Sequence, residues 1–265
     1  MIIQIEREDL DLFSIIVFIF GAIMGSFLNV VIYRIPRGES IVTPRSHCTK
    51  CGKTISWYHN IPIISYIILG GKCKYCEEKY SINYFFVEIL SAIISLALFM
   101  KIGFSLEYFL ILALFYTLLV LSFIDLEYKA VPDWILLLVV ILGFSCVYNN
   151  FLDSIKDGFI FVGAFVMLDF FITFYIQNIK SKILKDESLK TQRALGEGDF
   201  PIIAIIGALL GLASGMVSIF LAALFAIIPS IYNNIKNSEK QTAFIPYLSL
   251  GFFVEYIFQI SKVIL

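Results

Sequence analysis

Four of the five cysteines form two CxxC pairs, Cys48-Thr-Lys-Cys51 and Cys73-Lys-Tyr-Cys76. Two pairs at this separation match the ligand spacing of a tetrahedral zinc site with four thiolates, because each pair presents two sulfurs to one ion. Four cysteines close the coordination shell, so the predicted zinc is structural rather than catalytic. Two disulfides, free thiols or a redox role are the alternatives. The fifth cysteine, Cys146, stands alone in an apolar stretch and is read as ordinary packing.

Acidic residues within or beside apolar stretches are costly to place in a membrane, so each of them is a candidate functional group. Two of these residues, Asp125 and Asp199, border apolar stretches at what we expect to be the same membrane edge. Two carboxyls that share a site cannot both ionise easily, so one could keep its proton as a general acid while the other activates water as a base. This is aspartic-protease chemistry. The alternative is a helix cap or salt bridge for each aspartate, with Lys129 or Arg193 as partner.

The residues around Asp199 favour a tight turn into a helix. Gly196 and Gly198 leave the backbone free to bend and to approach another peptide closely. Pro201 suits the first turn of the helix that follows.

The remaining acidic residues in such positions are Glu88, Asp133, Asp169 and Glu255. Asp133 is expected to be structural, because an aspartate after a proline favours the positive end of a helix dipole. Asp169 lies in the middle of an apolar stretch, so we expect it well outward of Asp125 and Asp199.

The composition indicates where these groups reside. Of 265 residues, 59% are hydrophobic and 15% are charged, and the mean hydropathy is +0.88. Soluble domains are nearer 45–50% apolar and about 25% charged, so the composition excludes a water-soluble enzyme, a nucleic-acid-binding module and a disordered chain. The net charge of −1 gives no reason to expect a polyanionic partner. The sequence therefore predicts an all-α polytopic membrane protein in contact with lipid.

About eight transmembrane helices are expected, since a span needs about 20 mostly apolar residues. Residues 200–232 are too long for one crossing, so we expect two helices there, broken by Gly211, Ser214 and Gly215, with a turn at Ser214-Gly215. The first span lacks a basic n-region and a small-residue cleavage site, so it is expected to stay as an anchor. The expected spans are residues 12–33, 83–100, 106–124, 134–148, 158–179, 200–213, 215–232 and 244–262.

The orientation follows from the Lys and Arg residues, which are enriched in cytoplasmic loops. With both termini outside, most of the 20 cations fall in the inner segments 34–82, 125–133, 180–199 and 233–243. The largest hydrophilic segment, 34–82, is then cytoplasmic, where thiols stay reduced. It is too short for an ordinary hydrophobic core, so zinc is expected to stabilise it.

Four motifs occur in order along almost the whole chain. They are Gly25-Ser-Phe-Leu-Asn29-Val-Val-Ile-Tyr-Arg34-Ile-Pro36, the CxxC pairs with Asn60-Ile-Pro62-Ile-Ile-Ser65-Tyr66 between them, Ile124-Asp125 with Val131-Pro132-Asp133, and Gly196-Glu-Gly-Asp199. Together they resemble the bacterial type IV prepilin peptidases, also called leader peptidase/N-methyltransferases, of the GxGD aspartic protease class. Archaeal preflagellin peptidases and presenilin-like proteases are less similar.

The resemblance implies that Asp125 and Asp199 are the catalytic pair of a bacterial inner-membrane enzyme with its active site at the cytoplasmic face. It implies cleavage of type IV prepilins or pseudopilins after a glycine, in pilus assembly or type II secretion. It also implies methylation of the new N-terminal residue with S-adenosylmethionine. For the methyl-transfer site we predict Glu88 as the group that accepts the amine proton or stabilises the donor's cation, with Gly25, Asn29 and Arg34 shaping its floor. The alternative is that Glu88 caps its helix or pairs with Lys79 or Arg34.

The predicted organisation has three parts: an N-terminal tail and first helix (1–33), a zinc-binding, methyltransferase-associated loop (34–82), and a seven-helix peptidase domain (83–265). A homodimer is an open alternative to a monomer. Residues 83–86 depart from the family's usual sequence, so one alternative is a peptidase without methyltransferase activity. A non-catalytic membrane scaffold with a zinc loop is another, and a transporter is a third.

Overall fold

The computed structural model describes residues 7–147, 150–184, 187–191, 195–235 and 243–264. Within these ranges the regular structure is helical, apart from two isolated β-bridges that join His47 to Thr54 and Lys72 to Lys79. The predicted all-α class is confirmed. Long apolar runs form helices because a helix satisfies its backbone hydrogen bonds within one segment.

The chain divides into two compact units, Met1–Ile124 and Asp125–Leu265. The boundary between the two units lies near the end of the fourth helix, whereas the predicted parts end at residues 33 and 82. The three-part division made from the sequence concerns function, and it stays a prediction.

The first unit is organised around a close pair of helices. Its helices are α1 (Arg7–Arg34), α2 (Ile64–Ile68), α3 (Asn83–Ile102) and most of α4 (Leu106–Tyr128), with 3-10 turns at Ile35–Arg37 and Trp57–His59. A Cβ on Gly21 or Gly25 of α1 would lie 2.7 Å from the α-carbon of Ala92 or Glu88 on α3, respectively. Small residues four positions apart thus let the two backbones approach closely, as is common between membrane helices.

The second unit is built around its longest helix. Its helices are α5 (Asp133–Ser145), α6 (Phe151–Phe174), which continues as a π-helix (Tyr175–Lys180) into α7 (Ser181–Leu184), then a 3-10 turn (Glu187–Thr191), α8 (Asp199–Ile235), α9 (Ile245–Phe258) and α10 (Ser261–Ile264). Helices α5, α6 and α9 all pack against α8. The core contacts come from buried side chains on α8, namely Ile202, Ile203, Ile205 and Ile206.

The long apolar run 200–232 is interrupted at Gly211, one of the three residues predicted to break it. Gly211 has φ 74° and ψ 179°, which breaks α8 into two helical stretches. The predicted turn at Ser214-Gly215 is wrong, since Gly215 is helical and faces Phe161, whose Cζ would lie 2.7 Å from a Cβ at that position. Glycine adopts a positive φ without the steric penalty of other residues, which explains why the break falls at Gly211.

Five helical stretches in the described residues are long and apolar enough to cross a membrane: Asp11–Arg37, Asn83–Ile102, Leu106–Tyr128, Phe151–Ile183 and Asp199–Ile231. Two shorter apolar helices are Asp133–Ser145 and Ile245–Phe258. The prediction of a multi-pass membrane protein is confirmed, whereas the count of eight spans is not.

Candidate active site and cysteine cluster

Asp125 lies in the last turn of α4 and is only 9% exposed. Its Oδ2 accepts a hydrogen bond of 3.3 Å from the backbone N–H of Ile245, the first residue of α9. The first N–H groups of a helix have no partner within the helix, so they suit a carboxylate acceptor. Lys129, just beyond α4, also interacts electrostatically with this carboxylate. The Asp125 side chain is therefore held by the start of α9, 120 residues later in the chain, and by Lys129 beside its own helix.

Asp199 is the first residue of α8 and is 4% exposed. Its Oδ2 accepts the N–H of Gly196 at 3.0 Å, which closes the tight turn that the glycines predict. A Cβ on Gly196 would lie 3.3 Å from the same oxygen, so glycine leaves the room that this carboxylate needs. Pro201 occupies the first turn of α8, as expected.

The turn before Asp199 packs directly against the segment that follows Asp125. A Cβ on Gly198 would lie 2.9 Å from Val131 Cγ2 and 3.6 Å from Ile245 Cδ1. Ile245 therefore contacts both sides of the site, through its N–H to Asp125 and through its side chain to Gly198. The two carboxylates lie close enough to interact electrostatically. The structure thus brings Asp125 and Asp199 together.

Asp169 is placed differently from the sequence-based expectation. Its Oδ1 accepts the N–H of Leu195 at 2.9 Å and the hydroxyl of Thr173 at 3.2 Å. Leu195 directly precedes Gly196, so Asp169 lies beside the turn that carries Asp199, and the expectation that it lies well outward is wrong. The helical segment that begins at Phe151 extends to Leu184, so the chain must return along it before α8 starts.

The two remaining candidates that the sequence analysis named in the second unit lie outside this cluster. Asp133 is the exposed first residue of α5, where the helix dipole favours a negative charge. Glu255 is buried near the opposite end of α9 from Ile245, and its carboxylate accepts the N–H of Ser261 at 3.3 Å.

The four paired cysteines form one cluster in the first unit. Their Sγ atoms all lie within 4.8 Å of one another. The two CxxC turns are alike: the N–H of Gly52 bonds to the carbonyl of Cys48, and the N–H of Glu77 bonds to that of Cys73. Gly52 and Glu77 both have positive φ angles, of 71° and 58°. The Gly52 position is favourable for glycine, whereas Glu77 takes the same conformation at some steric cost.

The geometry fits zinc. With Zn–S bonds of about 2.3 Å, the edge of a thiolate tetrahedron is about 3.8 Å, and the Sγ atoms of Cys48 and Cys76 are 3.8 Å apart. Burial opposes ionisation of the Cys73 thiol, but hydrogen bonds from the backbone of Cys76 and Tyr75 and from the side chains of Tyr80 and Cys76 together lower its pKa to about 6. A backbone hydrogen bond favours the Cys76 thiolate, but burial and the neighbouring cysteines raise the pKa of Cys76, because thiolates held this close together repel one another without a cation between them. All four cysteines are free rather than disulfide-bonded.

The three residues predicted for methyl transfer make hydrogen bonds in the 34–82 loop or between α1 and α3, the two helices that flank it. Glu88 Oε2 accepts the N–H of Ile63 at 2.7 Å. Asn29 Nδ2 donates to the carbonyl of Tyr84 at 2.9 Å, which joins α1 to α3. The Arg34 guanidinium is buried and donates to two loop carbonyls, Ser40 at 2.8 Å and Pro44 at 2.7 Å. The Glu88 and Arg34 contacts hold the loop, the Asn29 contact holds the two helices that flank it, and Arg34 also lines a groove between α1 and the loop.

Comparison with known proteins identifies the family. The family model for the bacterial peptidase A24 N-terminal domain matches residues 19–102, and the model for the type IV leader peptidase family matches residues 112–231. A prepilin leader peptidase/N-methyltransferase of Vibrio cholerae is 35% identical over 78% of this chain and 79% of its own length. The chain belongs to the type IV leader peptidase family. The family predicted from the four sequence motifs is therefore confirmed.

Other relatives of this leader peptidase carry the same name. The Pseudomonas aeruginosa protein is 28% identical over 90% of the chain and 88% of its own length. The Myxococcus xanthus protein is 34% identical over 75% of the chain, and the match spans 56% of that relative. No solved structure matches the chain. Membership of a peptidase family supports an enzyme over a non-catalytic scaffold.

Proposed function

We propose that this leader peptidase removes the leader of type IV prepilins or pseudopilins by cleavage after a glycine, with Asp125 and Asp199 as its catalytic pair. The observation that carries the proposal is the convergence of two buried carboxylates, one from the end of α4 and one from the start of α8. Each is held by a backbone N–H, from Ile245 and from Gly196. A scaffold has no need of this arrangement.

The chemistry follows from two acids that share a buried site. Because two negative charges in a poorly solvated site repel each other, one carboxyl keeps its proton while the other is ionised. The ionised group takes a proton from water as it attacks the scissile carbonyl, and the protonated group donates its proton to the developing oxyanion or the leaving amine. The N–H groups of Ile245 and Gly196 orient the two side chains. This chemistry requires only the two carboxyls and water.

The proposal includes methylation of the new N-terminal residue. S-adenosylmethionine, when bound, supplies an electrophilic methyl group. The substrate α-amine must lose a proton before it attacks, and we assign this proton to Glu88, whose carboxylate accepts the N–H of Ile63 at the loop. Asn29 joins the two helices that flank the loop, and Arg34 holds the loop itself. Zinc at the four cysteines is proposed to stabilise the same loop.

We place the enzyme in the bacterial inner membrane, with the catalytic pair at the cytoplasmic face, on the basis of the Lys and Arg distribution. The substrates would serve pilus assembly or type II secretion. A homodimer stays a prediction.

The decisive experiment uses full-length protein in detergent or vesicles with a synthetic prepilin that carries a Gly-Phe junction. Asp125→Asn and Asp199→Asn should each abolish leader removal, measured by mass spectrometry, while the protein still inserts and accumulates. Asp133→Asn is the matched control, since this exposed residue begins α5 and should be dispensable for cleavage. Near-normal cleavage by Asp125→Asn or Asp199→Asn would remove that residue from the catalytic pair.

A further inference from the structure

The 34–82 loop has an apolar face that none of its own residues cover. In α2, the side chains of Ile64, Ile67 and Ile68 point outward, and Ile67 and Ile68 are 64% and 76% exposed. Trp57 is 74% exposed and lies in the 3-10 turn just before this helix. Side chains at positions i, i+3 and i+4 share one side of a helix, so the three isoleucines form a continuous surface. We call Trp57, Ile64, Ile67 and Ile68 the loop face.

The opposite side of α2 is anchored. Ser65 is buried, and its Oγ accepts the N–H of Ile61 at 3.0 Å and donates to the carbonyl of Tyr58 at 3.2 Å. Tyr66 stacks on Phe85 of α3, with ring centroids 5.2 Å apart. The outward direction of the isoleucines is therefore fixed by these contacts.

Two contacts set the depth of α2 along the membrane helices. Tyr66 stacks on Phe85, and Glu88 accepts the N–H of Ile63, the residue directly before α2. Phe85 and Glu88 lie in the first two turns of α3, which is apolar and long enough to cross a membrane. At 1.5 Å per residue, Glu88 is about 7–8 Å from the start of α3. An interfacial helix buries its apolar face about 5–10 Å into the boundary between headgroups and acyl chains, so the depth of α2 matches.

The loop face is continuous with the exposed side of α1, a helix apolar and long enough to cross a membrane. A groove of about 780 Å³ lies between α1 and the loop; its lining includes Ile19, Ile23 and Phe27 of α1, Val42 and Ile64 of the loop, and the polar residues Ser26, Arg34 and Asn60. The three α1 side chains are exposed on a membrane-spanning helix. Exposed cations accompany the apolar residues on the loop and suit anionic headgroups: Arg45, Lys50, Lys53 and Lys72.

We propose that the loop face binds the lipid bilayer, with α2 lying in the plane of the interface and its three isoleucines among the acyl chains. Trp57 then sits at the headgroup level, where amphipathic aromatic rings concentrate. The loop is thus an interfacial element rather than a domain projecting into water. This inference is independent of the proposed peptidase and methyltransferase activities.

The test uses tryptophan fluorescence of the full-length protein reconstituted in vesicles of phosphatidylcholine and phosphatidylglycerol. The chain has two tryptophans, so Trp134→Phe leaves Trp57 as the only emitter. Lipids brominated near the headgroup end of the acyl chain should quench its emission more strongly than lipids brominated near the methyl end. The wavelength of its emission maximum should also be shorter than that of tryptophan in water.

A second set of variants tests α2 directly. In a chain with both tryptophans changed to phenylalanine, Ile67→Trp should be quenched by brominated lipid and shielded from aqueous iodide. Lys74→Trp, an exposed position in the second CxxC turn, is the matched control and should show the reverse. Quenching of Ile67→Trp by iodide would overturn the proposal. Shielding from iodide without quenching by brominated lipid would also overturn it, because protein rather than lipid would then cover the face.

Discussion

The side chain of Val131 fills the space beside the α-carbon of Gly198, so that a Cβ at Gly198 would lie 2.9 Å from Val131 Cγ2. This contact joins the turn that carries Asp199 to the segment that follows Asp125. Real Cβ atoms essentially never approach another atom closer than 3.0 Å, so any side chain at residue 198 must displace the Val131 side chain or the segments that carry the two residues.

Gly198→Ala should therefore reduce leader cleavage by roughly tenfold or more, because a small displacement of catalytic groups is costly. Gly163→Ala is the matched control: this glycine lies in α6 with open space around its Cβ position, and the variant should cleave normally. The double variant Gly198→Ala/Val131→Ala should recover much of the activity, because it removes the clashing methyl group. A Gly198→Ala enzyme as active as the unmodified protein would show that this contact does not position the pair.

Asp169 should act as a positioning residue for Asp199, through its hydrogen bond to the N–H of Leu195. Asp169→Leu removes the acceptor and should lower kcat with little change in KM. Asp169→Asn keeps an oxygen acceptor and should rescue most of kcat.

Hydrogen exchange provides a readout of Asp169 that does not depend on activity. Faster exchange is expected at Leu195 and Gly196 in Asp169→Leu but not in Asp169→Asn. Unchanged exchange in the leucine variant, together with normal kcat, would contradict the positioning role.

Metal analysis of protein purified without chelator should find about one zinc per chain. Changing Cys48 and Cys51 together to serine should remove the metal, lower the melting temperature and reduce methylation more than proteolysis, because zinc is predicted to stabilise the loop rather than the aspartates. Cys146→Ser, a buried cysteine outside the cluster, should keep the zinc. Zinc-free unmodified protein, or full zinc content in the double serine variant, would contradict the assignment.

Glu88→Gln should leave leader removal near normal but reduce methyl incorporation from labelled S-adenosylmethionine. Glutamine retains an oxygen that can accept the Ile63 N–H, so the loop should stay in place and only the proton-accepting carboxylate is lost. The control is Glu107→Gln, at the start of α4, which should methylate normally. If the unmodified protein incorporates no methyl group, this chain is a peptidase only.

The sequence by itself determined the features that depend on composition and local spacing. The long apolar runs establish a multi-pass helical membrane protein, because only helices satisfy the backbone within such segments. Two CxxC pairs predict the cysteine cluster, since each tight turn places its own two sulfurs near each other. The four ordered motifs were sufficient to identify the leader peptidase family.

Tertiary structure alone decided the features that depend on contacts between distant segments. The N–H of Ile245 reaches Asp125 across 120 residues of sequence, and nothing in the local pattern around either residue indicates this bond. The same holds for Asp169 and Leu195, which meet because the chain turns back along the extended α6 segment. Of the glycines predicted to break the apolar run 200–232, Gly211 takes a positive φ, whereas Gly215 stays helical with Phe161 packed beside it. Spacing can name candidate residues, but packing decides which of them meet.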